Sequence, residues 1–160
     1  MASINGIEIK GAHAHRGHEG ESLVEGNVYK DGKKIALYCE SDWGAPTEFY
    51  YEKGVELTKD EEDILELTIY HVLGLKEKEK EFKKAIKKGF DSIAIINVND
   101  YSYISYSIKY DRHKAQILAK AKEKKVSEKD VEFYRSLDDF NIKMEIKSIR
   151  SELDLAEGKV

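Results

Sequence analysis

The chain reads as an α+β protein: a small antiparallel sheet with a helical hairpin, a second β-hairpin and a helical C-terminal third. Three observations predict this. Before residue 58, short β-favouring runs are separated by Asn5-Gly6 and Asp31-Gly32, pairs that tolerate the left-handed backbone of tight hairpin turns. From Thr58 the apolar residues recur at helical spacing behind a capping box. Residues 92–110 then return to a β pattern. At 160 residues the chain suits one domain, mainly β over 1–57, a helical hairpin over 58–89, a β-hairpin over 90–110 and helical over 111–160.

Taken in order, Ile4, Ile7 and Ile9 around Asn5-Gly6 predict a short strand following a turn, and the tract Gly11 to Glu21 reads as a loop. Leu23 to Lys30 and Lys34 to Glu40 flank Asp31-Gly32 as a hairpin. Ser41 to Pro46 is a loop holding the only Trp and the only Pro, and Thr47 to Lys53 returns as an aromatic strand. Thr58-x-x-Glu61 opens a helix with acids in its first turn, and Gly74 is read as its stop. Lys76 to Lys88 forms a second, charged helix ended by Gly89. Ser92 to Val98 is a continuous apolar run, and Tyr103 to Tyr110 alternates with Ile104, Tyr106, Ile108 and Tyr110 on one face; Asn99-Asp100 turns between them. Asp111 to Lys125 reads as a helix, Ser127-x-x-Asp130 as the start of another, and Ile142 to Leu155 as a third helical run.

Composition narrows the function. With 41% hydrophobic and 36% charged residues, the chain has apolar surface enough to fold beneath a charged exterior. No apolar run approaches the roughly 20 residues of a membrane span, so a soluble, cytoplasmic protein is expected. A lone cysteine, Cys39, forms no internal disulfide, which suits a reducing compartment. Residues 1–57 hold 6 Lys/Arg against 10 Asp/Glu, while residues 58–160 hold 21 against 21. A pI near 5.8 argues against nucleic acid as the main partner, because phosphate neutralisation needs a broad basic face.

Three of the five histidines, His13, His15 and His18, fall in one short run. In an extended segment His13 and His15 point the same way, and the turn at Gly17 would bring His18 around to a shared ion, with zinc the candidate. Three protein ligands would leave a position for water. A fourth, Cys39 or Asp42, would close the site as a structural one. The alternative is a solvated surface loop whose histidines meet Glu19 and Glu21; the spacing matches no named zinc signature. Cys39 has no flanking nucleophile signature and reads as a small core residue. No phosphate-cradling glycine motif is present. Asp60, Glu61, Glu62 and Asp63 can imitate phosphates toward a basic partner or simply complement the helix dipole. Tyr101 and Tyr103 are candidate contact residues, whereas Tyr106 and Tyr110 share a face with Ile104 and Ile108 and read as packing.

The segment Arg16-Gly17-His18-Glu19-Gly20-Glu21, the loop Asp42-Trp43-Gly44 and the Lys/Glu/Tyr-rich remainder resemble small inhibitors encoded by phages and mobile elements, the anti-CRISPR type among them. The resemblance implies a non-enzymatic protein, in the host cytoplasm, that occludes a basic partner or ribonucleoprotein such as a CRISPR effector nuclease. It transfers no binding residues. Two other readings stand beside it: a metal-dependent hydrolase using His13, His15 and His18, and a nucleic-acid-binding module using the Tyr103 hairpin and the Lys120 helix.

Overall fold

A computed structural model describes residues 1–41, 47–99 and 102–156. In chain order the elements are β1 (Ser3–Ile4), β2 (Ile7–Arg16), β3 (Ser22–Lys30), β4 (Lys33–Cys39), β5 (Glu48–Tyr51), α1 (Lys59–Lys87), β6 (Ser92–Asn99), β7 (Ser102–Ile108), α2 (Tyr110–Glu123), β8 (Val131–Tyr134), β9 (Asn141–Ile142) and α3 (Ile146–Ala156). The class is α+β, as its patterning predicts. Two compact units are present, one of residues 2–75 and 141–160, the other of residues 76–140 with Met1.

The first unit is built on a six-stranded sheet in the order β5-β4-β3-β2-β1-β9, antiparallel except where β1 runs parallel to β9. Both predicted turns are present: Asn5 and Gly6 have φ of 52° and 78°, Asp31 and Gly32 have 50° and 83°, the two consecutive left-handed residues of a type I′ turn. Ile7, Ile9, Val28, Ala36 and Tyr38 alternate onto one face and are buried. From the helices of this unit, Leu65, Ile69, Val72 and Ile149 are buried with them.

The second unit is a three-stranded antiparallel sheet, β7-β6-β8. Ile93, Ala94, Ile95 and Ile96 are all inaccessible, because the central strand β6 is covered on both faces, which is what its unbroken apolar run requires. On one face Ala94, Ile96 and Ile108 pack with Ile117 and Ala121 of α2, and Tyr106 joins them. On the other, Phe140 stacks on Tyr134 at 4.4 Å between ring centroids and tilts against Phe82 of α1 at 5.5 Å.

Five expectations about elements are corrected. The helical hairpin over 58–89 is one continuous helix, α1, running through Gly74. Leu75 and Phe82 are seven residues apart and both buried, so the apolar stripe keeps its phase across the glycine, and one exposed glycine costs a helix only about 1 kcal/mol. Its end is at Gly89, where Phe90 N–H bonds to Ala85 O at 3.0 Å in a Schellman cap. The His/Gly tract is not a loop up to Arg16; β2 continues through it, paired to β3 as far as Ser22. The run from Ser127 is a single 3₁₀ turn, Glu128–Asp130, without a side-chain cap, followed by β8; the Val131-Glu132-Phe133-Tyr134 run pairs at the edge of β6 rather than coiling. The last helix starts at Ile146 rather than Ile142, since Asn141 and Ile142 pair with β1, and Tyr110 opens α2 rather than closing β7.

Candidate functional site

The bulged edge of β2 decides where the histidines stand. Register slips by one residue between Lys10 and His13, with Gly11 at φ 64° supplying the left-handed residue of the bulge. Beyond it, His13 lies opposite Glu25 and His15 opposite Leu23, so the two imidazoles share the outer face of the sheet. His13 Nε2 is 3.7 Å from Glu25 Oε2, and Nδ1 is 3.2 Å from Gly11 O. His18 falls in the tight turn between β2 and β3. Among the described residues, no three His, Cys, Asp or Glu side chains stand together as a ready metal site. Asp42 and Tyr101 lie outside the described residues.

A second one-residue slip, between Val28 and Tyr29 on β3, puts Cys39 directly opposite Glu25, and β5 puts Glu48 opposite Cys39 on its other side. His13, Glu25, Cys39 and Glu48 thus form one cross-strand row over four neighbouring strands. Cys39 is half-buried; burial, and then the flanking Glu25 and Glu48, push its thiol above the usual range. Such a thiol is protonated at neutral pH and is not poised as a nucleophile.

Each residue of the acidic first turn has a partner within the fold. Glu61 Oε1 accepts Thr58 N–H at 3.1 Å while Glu61 N–H bonds to Thr58 Oγ1 at 3.1 Å, completing the capping box. Glu62 accepts the Tyr51 hydroxyl, and Asp60 pairs with Arg150 of α3. Asp63 pairs at the surface with Lys59, 2.7 Å away, and also lines a cleft. Tyr103 is 38% exposed, with the Lys78 ammonium 5.3 Å from its ring centroid.

That cleft is a concave feature of the first unit. It encloses about 410 Å3, within the range of ligand sites, and among the described residues it is lined by Tyr38, Glu40 and Thr47 from the sheet side, Asp63, Glu66, Leu67 and Tyr70 from α1, and Leu153 from α3. Helical spacing places Asp63, Glu66, Leu67 and Tyr70 on one face of α1. Glu40 is held in place: its Oε2 accepts Val24 N–H at 3.0 Å and its Oε1 accepts the Tyr38 hydroxyl at 3.0 Å. Burial, with Glu40 and Glu66 nearby, pushes the Tyr38 hydroxyl far above its ordinary value, so it remains a neutral donor. Glu66 is half-buried and makes no hydrogen bond or ion pair among the described residues. Three carboxylates, two phenols and two leucines, with no basic side chain among the described lining residues, suit a cationic head on an apolar stem.

The sequence reading missed Glu40, Glu66, Tyr38 and Tyr70. Only the spacing of Asp63, Glu66 and Tyr70 on one helix face was available as a signal, and nothing in the chain told that face from any other solvated one. No family model, curated protein or solved structure matches the chain.

Proposed function

We propose that the chain is a non-enzymatic binding protein that captures a basic nucleic-acid-handling protein, in the manner of an inhibitor of a CRISPR effector nuclease, through the acidic cleft of its first unit. The observation carrying this is the cleft itself, where Glu40, Asp63 and Glu66 face a volume that a lysine or arginine side chain fills. Charge over the whole chain supports it: residues 76–140 hold 16 Lys/Arg against 12 Asp/Glu, whereas the remainder holds 11 against 19. An acidic unit of this kind steers a basic surface toward itself and competes with phosphate for it. Among the described residues, no helix is long and apolar enough to cross a membrane.

The test is calorimetry of the full chain against a panel of basic nucleases and ribonucleoproteins, at two ionic strengths. Binding that weakens with salt, and that falls at least about tenfold in Glu66→Lys while circular dichroism is unchanged, is the expected result. Failure across the panel, affinity unaltered by Glu66→Lys, or capture of DNA or RNA in place of basic protein would overturn it.

A further inference from the structure

We propose that β7, a terminal strand of the three-stranded sheet, is a docking edge for the β7 of a second copy of this chain, the two strands pairing antiparallel about a two-fold axis at Ser105. The strand reads Ser102-Tyr103-Ile104-Ser105-Tyr106-Ser107-Ile108, seven residues without a charge in a chain that is 36% charged. Proteins guard sheet edges by shortness, charge, proline or a bulge, because a terminal strand presents unpaired N–H and C=O groups to any other strand. Among the described residues the other sheet ends carry such guards: β9 has two residues, β5 has four beginning with Glu48, and β8 has four including Glu132. β7 carries none of them. Its register with β6 is unbroken from Tyr103 to Ile108, so alternate residues along that stretch direct their backbone groups away from β6.

The occupant follows from the strand's own pattern. Identical strands set antiparallel about Ser105 place Ile104 opposite Tyr106 of the second copy, Tyr103 opposite its Ser107, and Ser105 opposite its own counterpart. Ile104, Tyr106 and Ile108 share the α2 face, where Tyr106 packs on the core while Ile104 stays half-buried. A tyrosine ring across from Ile104 completes an aromatic–β-branched pair of the kind that stabilises antiparallel neighbours. On the opposite face Tyr103, 38% exposed, and the serines offer hydroxyls and no charge. A charged edge would repel its own copy across the axis, and a neutral one does not. The basic partner drawn to the acidic cleft finds no counter-charge on β7, so this edge and the cleft are separate surfaces with different occupants. Because one two-fold interface satisfies both strands, the assembly closes as a dimer rather than growing into a fibre.

Analytical ultracentrifugation of the full chain over a concentration series, at two ionic strengths, tests the edge. The expected result is a reversible monomer–dimer equilibrium that salt does not weaken, since both copies carry the same net charge of −4. Dimerisation should weaken at least about tenfold in Ser105→Lys, which sets two ammonium groups against each other at the axis. Glu66→Lys, in the cleft, keeps the dimer. A chain that stays monomeric up to about 1 mM, a dimer equally strong in Ser105→Lys, or one that salt dissolves would overturn the assignment. Should Ser105→Lys not fold, hydrogen exchange of the native chain decides: the β7 amides that point away from β6 are expected to exchange more slowly as protein concentration rises, and rates independent of concentration would refute the edge.

Discussion

Replacing Glu132 by glutamine probes the polar network on the α1-facing side of the three-stranded sheet. The Glu132 carboxylate accepts Lys78 Nζ at 3.0 Å and Asn97 Nδ2 at 3.0 Å on Oε1, and the Tyr134 hydroxyl at 2.9 Å on Oε2. Burial alone would push this carboxyl upward, but the Asn97 amide, the Lys78 ammonium and the Tyr134 hydroxyl outweigh it and hold the group below its ordinary value. Glutamine keeps one acceptor oxygen, turns an N–H2 toward existing donors, and leaves the Lys78 ammonium, only 17% exposed, without its counter-charge. Losing a partner from a buried pair costs about 3–5 kcal/mol. Because the Glu132 side chain is 39% exposed, solvent screening reduces this to about 2 kcal/mol. With a urea slope of about 2 kcal/mol/M the midpoint should fall by about 1 M at neutral pH.

The pH dependence has a definite sign. A carboxyl held low in the folded state contributes stability above its unfolded value, near 4.5, and loses that contribution as pH falls through the lower folded value. Urea curves of the native chain and Glu132→Gln should therefore converge below about pH 4.5. A difference under about 0.5 kcal/mol at neutral pH, or one that persists unchanged into acid, would refute the reasoning.

Gly74→Ala should stabilise the chain by about 0.5–1 kcal/mol, since the position is an exposed helix interior with no heavy atom within 4 Å of an added Cβ; thermal unfolding checks it, and a loss of stability would argue that the helix ends there after all. Phe140→Ala should cost about 3–5 kcal/mol in chemical denaturation, because the ring is inaccessible, stacks on Tyr134 and tilts against Phe82; a cost under about 1 kcal/mol would mean the ring trio is not the core of the second unit.

Local chemistry made much of the fold legible. Asn5-Gly6 and Asp31-Gly32 favour a type I′ turn, Thr58 with Glu61 caps α1, and the apolar run from Ser92 is a strand, buried on both faces as far as Ile96. A single local signal is overruled by its surroundings: Gly74 alone reads as a stop, but the apolar stripe holds its phase across it, and Ser127 alone reads as a cap, but Val131–Tyr134 pairs along a strand edge.

The site residues obey a different rule. Counted straight back from Asp31-Gly32, Glu25 would face Tyr38; the slip between Val28 and Tyr29 makes its partner Cys39. Counted from the Ile7–Lys30 pair, the unbroken ladder would set His13 against Val24, and the bulge at Gly11 sets it against Glu25. Each bulge is a single residue, yet a shift of one exchanges the faces of every side chain beyond it. Turn types, caps and strand character are properties of short stretches of chain, and they were readable residue by residue. The row His13-Glu25-Cys39-Glu48 and the cleft of Glu40, Asp63 and Glu66 join residues far apart in the chain, and their meeting depends on register and on the packing of α1 and α3, which only the assembled tertiary structure decides.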